Sequence, residues 1–534
     1  MVSSVLVDAL SDPTRSLEEL YDADRRIVDF PATVAAHFSN IFASEDAFSE
    51  IPSIYVVNPM QKDRCLVKFF AMIQDTSLSP EMYLAKRSDG KCGGWGLADD
   101  STDGLDYETT RSYLRENTVL WAVTVPGESQ WVASEMDAIS FTRSTVPESH
   151  PHKFPVAGTP HLGVQVKVYD TSRGGLLKPT DVVTLVGILT IESIFSSMAA
   201  ELESSNSGPV PTLHVLFSRS LPATIIPRVF PYFPAMPSIE MLRHELITWI
   251  ADEGLAGDKD AAEWVLLCII ARVQSRTPPI LPPSLTISKF PPPTGRWSTP
   301  TLSTVLSHLL PIVDTLHLSL DVLNGSSFSP ESRNEDLHSG RLQLPRGSVC
   351  VVTEGGITEG GLNDRGVMNL RALQEMMTGQ TLEYIFPFSR FAFQTDVAFV
   401  VLSEGRKSTF FQTHINIKIR PDNADELYGP AEKIRLPSTE TLDMFRDLVG
   451  GAKMGTVTVG DLVAKHIQDD FVSERKTALS PAEVVTSDDL IHQMTVARLL
   501  TLSMHQSEIS IDIWNRAKVL EANRKTRLTT LGEK

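Results

Sequence analysis

Cysteines and long apolar runs are scarce in this chain of 534 residues. No apolar stretch reaches the roughly 18 residues that would span a bilayer, and the first residues lack the basic segment typical of a signal peptide. The four cysteines are widely spaced and form no CxxC pair, which argues against a zinc site or a disulfide framework. The sequence therefore predicts a soluble, non-secreted protein with reduced, buried thiols at Cys65, Cys92, Cys268 and Cys350.

Positive charge is also in deficit. The chain has 48 Lys and Arg against 66 Asp and Glu, which gives a formal net charge of −18. Sequence-independent DNA affinity comes from basic side chains that displace counterions from phosphates, so this balance disfavours nucleic acid as the main partner. Protein partners, some of them basic, fit better. The basic tail from Arg516 to Lys534 is either a nuclear-import or interaction patch or a solvated helix end.

Signatures of hydrolytic and metal-dependent catalysis are absent. The sequence contains no G-x-S-x-G elbow, no H-E-x-x-H pair and no G-x-x-x-x-G-K-[ST] phosphate loop. His150 and His152 fall in a stretch rich in Pro, Ser and Thr at 144–162, and we interpret them as solvated side chains of an exposed loop. The sequence predicts no catalytic residue, no cofactor and no metal ion.

The hydrophobic pattern changes three times along the chain. Residues 1–50 are predicted to be helical, and 51–235 contain alternating strands that predict an OB-like β-barrel with inserted loops. One of these strands carries Gly187 near its end, where glycine permits a sharp bend. Strands and helices alternate over 236–430, as in an α/β domain, and 431–534 are mostly helical. The fold class predicted is multidomain α/β.

In an α/β domain that binds nucleotide, a phosphate-binding loop would follow the first strand. Here the strand at 285–290 is followed by PPPTGRWS and then by a helix from about Thr301. A phosphate-binding loop donates backbone N–H groups to phosphate, and the three prolines here have no N–H group to donate. After the strand at 348–352 one carboxylate, Glu354, stands where a magnesium site usually has two. The sequence therefore predicts that this domain does not hold ATP.

Dispersed segments of the chain, in a specific order, resemble the mini-chromosome maintenance (MCM) complex-binding protein family, in a shorter, fungal-type version. No single segment is diagnostic. The matching segments are 67–75 (VKFFAMIQD), 123–132 (VTVPGESQWV), 166–169 (VKVY), 187–189 (GIL), 402–406 (LSEGR), 469–476 (DDFVSERK), 488–490 (DDL), 496–503 and 514–518 (WNRAK).

That family is itself similar to the subunits of the MCM helicase. The resemblance implies an OB-like barrel, a degenerate AAA+-like α/β domain and a lid-like helical region. It further implies a nuclear, non-catalytic partner of MCM subunits that unloads the complex from chromatin or holds newly made subunits, with links to DNA replication, the cell cycle and sister-chromatid cohesion. The matched C-terminal segments supply the candidate partner-binding residues Asp469, Asp470, Arg498, Trp514, Arg516 and Lys518.

A rival hypothesis is a single-strand nucleic-acid-binding OB protein. Its stacking platforms would be Phe69, Phe70, Trp95 or Trp121, because bases stack on exposed aromatic rings. The alternative for these four rings is packing in a hydrophobic core. A divergent active ATPase is a third hypothesis, which the proline-filled loop disfavours.

Overall fold

A computed structural model of the chain describes most of its residues. Among the described residues no helix is long and apolar enough to cross a membrane. The described ranges are 4–23, 29–57, 64–87, 89–97, 111–132, 150–193, 209–220, 228–232, 238–293, 299–333, 336–357, 359–477 and 485–529.

The first sheet closes on itself. Its order is β1-β5-β6-β4-β3-β2, and β3 also pairs with β1, so that five strands form a ring. The β4–β6 pair is parallel, and the other neighbouring pairs are antiparallel. Alternate side chains of β1, from Val67 to Ile73, fill the interior. The strands are β1 (Cys65–Asp75), β2 (Glu81–Leu84), β3 (Leu114–Val123), β4 (Gly163–Val168), β5 (Val182–Ser193) and β6 (Pro209–Ser220).

Gly187 lies where β5 bends. The register between β5 and β6 shifts between Val186 and Gly187, which marks a bulge. A Cβ atom at Gly187 would lie 2.3 Å from the carbonyl oxygen of His214, so only glycine lets the two backbones approach this closely. The prediction of a glycine bend in this strand is confirmed.

Short N-terminal helices cover the outer face of this barrel, as the prediction of a helical segment at 1–50 requires. Phe38 and Phe42 are fully buried there against outward-facing side chains such as Phe217. Asp29 begins α3 by accepting a hydrogen bond from the amide of Ala32. The helices are α1 (Ser4–Ser11), α2 (Pro13–Ala23), α3 (Phe30–Ile41) and α4 (Glu45–Ser49), and a one-turn helix, α5 (Thr171–Gly174), follows β4.

The second large sheet is entirely parallel, in the order β10-β13-β16-β9-β17. Its central strands are buried on both faces, as expected for such a sheet. Val349 and Val351 of β13 face one hydrophobic core, and Cys350 and Val352 face the other. The strands are β9 (Leu285–Ser288), β10 (Val313–His317), β13 (Val349–Thr353), β16 (Ala398–Ser403) and β17 (Ile415–Lys418).

Helices cover both faces of the parallel sheet. The core that contains Val349 is shared with α6, α7, α8, α11, α13 and α14, and α9 and α10 lie on the side of Cys350. The helices predicted to alternate with strands over 236–430 are present as α6 to α10. The bounds are α6 (Ile239–Gly254), α7 (Lys259–Ile270), α8 (Thr301–Leu309), α9 (Leu320–Asn324), α10 (Asp364–Gly379), α11 (Thr439–Met454), α12 (Asp461–Thr477), α13 (Ser487–Ser503) and α14 (Ile511–Thr529).

Sequence reasoning missed a smaller sheet with the order β12-β11-β14-β15. Two of its strands have three residues each, too few for an alternating pattern to emerge. Its strands are β11 (Glu331–Arg333), β12 (Asp336–His338), β14 (Thr381–Ile385) and β15 (Arg390–Gln394), and a further hairpin joins β7 (Ser275–Arg276) to β8 (Pro279–Ile280).

The described part of the predicted exposed loop over 144–162 begins at His150. The prediction is wrong at residues 153–155 and 161–162, which are buried, and right at residues 157–160, which are exposed. Lys153 is only 4% exposed and Phe154 only 6%. The Lys153 ammonium can be buried because it pairs with Asp75 and with Asp336, both distant in sequence. Residues 144–149 lie outside the described residues.

We predict that Gly187→Ala destabilises the barrel by about 1–3 kcal/mol, because the new methyl group meets backbone that cannot move aside without breaking the β5–β6 pairing. Urea denaturation monitored by circular dichroism measures the change. Gly361→Ala is the matched control, since a Cβ atom there meets nothing within 4 Å. Equal stability of the two variants would contradict the assigned bulge.

Candidate functional site

The segment 123–132 joins the barrel to the α/β part of the chain. The Ser129 hydroxyl donates to the carbonyl oxygen of Leu310 at 2.6 Å, and the Trp131 indole N–H donates to that of Ser307 at 3.0 Å. The guanidinium of Arg446 lies 3.9 Å from the centre of the Trp131 ring, within cation–π range. This segment therefore contacts both α8 and α11.

The end of the matched segment 67–75 and the turn before β5 reach the same junction. The Gln343 side-chain amide donates to the backbone carbonyl of Gln74 at 2.6 Å, and the Tyr384 hydroxyl donates to that carbonyl at 3.1 Å. Asp181 accepts from Arg346 at 2.9 Å. Segments far apart in sequence thus fix the barrel against the parallel sheet, and their role is to position the two units.

The carboxyl edge of the parallel sheet is where a nucleotide would bind in an open α/β fold. There the first turn of α8 is covered by the chain's own residues 426–428. Thr301 is 5% exposed, and its hydroxyl donates to the carbonyl oxygen of Leu427 at 3.1 Å. Pro300 forms a β-bridge with Tyr428. Residues 294–298 of the PPPTGRWS loop lie outside the described residues.

Glu354 has a structural partner at this edge. Its side chain is 7% exposed and accepts hydrogen bonds from the Ser408 hydroxyl and, at 3.2 Å, from the amide of Thr409. These bonds fix the loop that follows β16. Glu354 therefore faces this loop and accepts hydrogen bonds from it.

The aromatic rings of the rival hypothesis are not displayed on the surface. Phe69, Trp95 and Trp121 are at most 2% exposed, and Phe70 is half-buried against the cluster around Val125. A ring must be accessible to stack on a base. Their positions favour the alternative of core packing.

Three of the six candidate partner-binding residues meet between α12 and α14. The Asp470 carboxylate accepts from the Trp514 indole N–H at 2.9 Å and from the Lys518 ammonium at 2.7 Å. Lys518 also pairs with Glu474 at 2.5 Å. Partial burial raises the pKa of Asp470, but the bonds from Lys518 and Trp514 outweigh it, so that the pKa lies below its ordinary value.

The other three candidates lie apart from this contact. Arg498 donates to Gln274, and burial lowers the pKa of its guanidinium. Arg516 is half-exposed, 3.6 Å from Glu263. Asp469 is exposed on the outer side of α12. The structure thus groups Asp470, Trp514 and Lys518 and leaves Asp469 and Arg516 at the surface.

Helix α12 has two different faces. Its inner face carries Val463, Ile467, Asp470 and Glu474, which are spaced by three or four residues and face α14 and the core. Its outer face displays apolar side chains to solvent, with Leu462 84% exposed and Val472 41% exposed. The sequence shows that both residues are apolar and lie off the stripe that carries Val463 and Ile467. Only the fold shows that this stripe is the buried one.

A closed barrel, a parallel α/β sheet and a helical C-terminal region define a multidomain α/β protein. Comparison of the sequence with known protein families identifies the family. The family model described as mini-chromosome maintenance replisome factor matches residues 38–153 and 138–528, so the chain belongs to this family.

Curated relatives agree along nearly the whole chain. Proteins named mini-chromosome maintenance complex-binding protein from Gallus gallus and Homo sapiens are each 25% identical, and each alignment covers 98% of both chains. The protein of that name from Arabidopsis thaliana is 26% identical over 92% of both chains. These relatives span organisms as distant as an animal and a plant.

We predict that Asp470→Asn weakens the docking of α12 on α14 by about 1 kcal/mol, because a neutral amide loses the charge-assisted bonds to Lys518 and Trp514 at a partly solvated site. Hydrogen exchange of residues 461–477 measures the effect. Asp469→Asn is the control, since that carboxylate is exposed.

The effect has a defined pH dependence. Because the folded pKa of Asp470 lies below the unfolded value of 3.8, the wild-type contribution is complete at neutral pH and is lost as the pH falls through the folded pKa. Equal hydrogen exchange of residues 461–477 in Asp470→Asn and Asp469→Asn at neutral pH would contradict the role assigned to Asp470.

Proposed function

We propose that this protein is a non-catalytic partner of the MCM helicase that binds MCM subunits, promotes removal of the complex from chromatin or holds newly made subunits, and so supports DNA replication and sister-chromatid cohesion. The observation that carries the proposal is family membership along nearly the full chain. Its site of action is the nucleus, and its association with chromatin runs through the MCM subunits.

The proposal includes two fold assignments. The closed ring of five strands, with a single parallel pair, supports an OB-like barrel. The parallel sheet between helical layers, followed by α11 to α14, supports a degenerate AAA+-like domain with a lid-like helical region. The rigid junction through Ser129 and Trp131 supports a body that presents both units in one orientation.

A mechanism follows from the covered helix start. A subunit of ATPase shape docks on an MCM subunit through the surfaces that its paralogues use, but it supplies no nucleotide to the joint. A ring of MCM subunits that is held closed by nucleotide at the subunit interfaces is weakened at each interface that such a subunit occupies. The burial of Thr301 against residues 426–428 supports this mechanism, because phosphate needs access to the first N–H groups of that helix.

The outer face of α12 is the contact surface that we assign to the MCM partner. It combines exposed Leu462 and Val472 with the acidic Asp469. The half-exposed cation Arg516 of α14 lies apart from it, near Glu263 of α7. Apolar side chains ringed by charges are typical of protein-binding surfaces. Asp470, Trp514 and Lys518 support this surface from behind by holding α12 in place.

The alternative, a single-strand nucleic-acid-binding OB protein, has weaker support. The barrel belongs to a chain with a net charge of −18, and three of its four candidate rings are buried. Salt-dependent binding of oligonucleotides by the protein would favour this alternative.

We expect Leu462→Glu to reduce the amount of MCM subunits that co-purify with the tagged protein from nuclease-treated extract by at least about fivefold, since a charge at the centre of an apolar contact costs more than about 1 kcal/mol. Leu176→Glu is the matched control, because this leucine is also exposed, at 72%, but lies beside the barrel. Quantitative mass spectrometry measures the recovery. Equal recovery with both variants would refute the assigned surface, and absence of MCM subunits from the wild-type sample would refute the function.

A further inference from the structure

Two histidines and a carboxylate from opposite sides of the junction meet at one place. His152 comes from the short 3-10 helix at 151–153 beside the barrel, and Asp336 and His338 come from β12. One ligand atom from each of these side chains lies within 4.8 Å of the others. The His152 Nε2 and Asp336 Oδ2 atoms are already 2.7 Å apart. The interpretation of His152 as a solvated loop side chain is therefore wrong, since its partners come from 184 residues away.

We propose that His152, Asp336 and His338 form a binding site for Zn²⁺ that joins the barrel to the α/β part of the chain. Two imidazoles and one carboxylate are a donor set that zinc accepts, at metal–ligand distances of about 2.0–2.2 Å. Ligands around a tetrahedral ion stand roughly 3.3 Å apart, so small side-chain rotations bring these three to it. Asp336 and His338 are two residues apart on a strand and therefore point to the same side.

The charges around the cluster are compatible with a cation. Lys153 binds Asp336 through Oδ1, at 2.5 Å, which leaves Oδ2 for a ligand, and it also pairs with Asp75 at 3.3 Å. Two carboxylates and one ammonium leave one negative charge in excess.

A tetrahedral zinc ion needs a fourth ligand besides these three side chains. A second observation points to a ligand: the Nδ1 atom of His150 is buried without a hydrogen-bond partner among the described residues. The His150 ring lies 5.8 Å from that of His152. His150 is not one of the three clustered residues, so water is left to complete the coordination.

The test is Zn²⁺ titration of the EDTA-treated full-length protein in competition with a chromogenic chelator. We expect the wild type to bind one tight equivalent, and His338→Ala to weaken it by at least about tenfold, since loss of a ligand costs no less than loss of a supporting residue. His338 takes part in no ion pair among the described residues, so its removal leaves the Lys153 contacts intact. His37→Ala controls for the other histidines of the chain, because His37 lies in α3.

A second readout separates binding from damage to the fold. Zn²⁺ should raise the melting temperature of the wild type and of His37→Ala by mass action, but not that of His338→Ala or Asp336→Asn, while all four proteins have similar circular dichroism in EDTA. Co²⁺ in place of Zn²⁺ should give a visible absorption band that His152→Ala lacks. Absence of a tight equivalent in the wild type, or equal affinity in the His338→Ala variant, would overturn the site.

Discussion

The first turn of α8 has backbone N–H groups that no carbonyl within the helix can bond. In a nucleotide-binding α/β protein such groups face the phosphates. In this chain the turn is buried, and the Thr301 hydroxyl donates a hydrogen bond to the carbonyl oxygen of Leu427. Carbonyl oxygens carry partial negative charge and repel an anion. The backbone of residues 426–428 thus occupies the carboxyl edge of the parallel sheet, where a nucleotide would bind.

Under the proposed function, this protein acts through its surfaces. The junction around Ser129 and Trp131 fixes the barrel on the parallel sheet, and the Asp470 contact fixes α12 on α14. Both contacts use a buried or half-buried aromatic N–H group with a defined acceptor, which sets orientation as well as distance. The exposed leucine and valine of α12 then have a fixed position relative to the rest of the molecule, as a protein contact requires.

Much of the fold could be predicted from sequence because its strands and helices have strong periodicity. The strand at Cys65–Asp75, the bend at Gly187 and the helices beside the parallel sheet all appear where residue patterns place them. These features depend on local spacing and backbone chemistry, which one sequence records directly.

What could not be predicted depends on residues that meet across the fold. Lys153 was expected in an exposed loop and is buried, because its partners Asp75 and Asp336 come from two other elements. Three of the six candidate partner-binding residues, Asp470, Trp514 and Lys518, meet in the structure, yet sequence alone could not separate the supporting Asp470 from the exposed Asp469. A single sequence does not record which stripe of a helix faces the core.

The covered helix start is tested most directly by titrating the purified full-length protein with Mg²⁺-ATP and Mg²⁺-ADP and measuring binding by calorimetry and by thermal stabilisation. The account predicts no saturable heat and no rise in melting temperature with either nucleotide. Tight, saturable binding of ATP, or its hydrolysis by the purified chain, would contradict it.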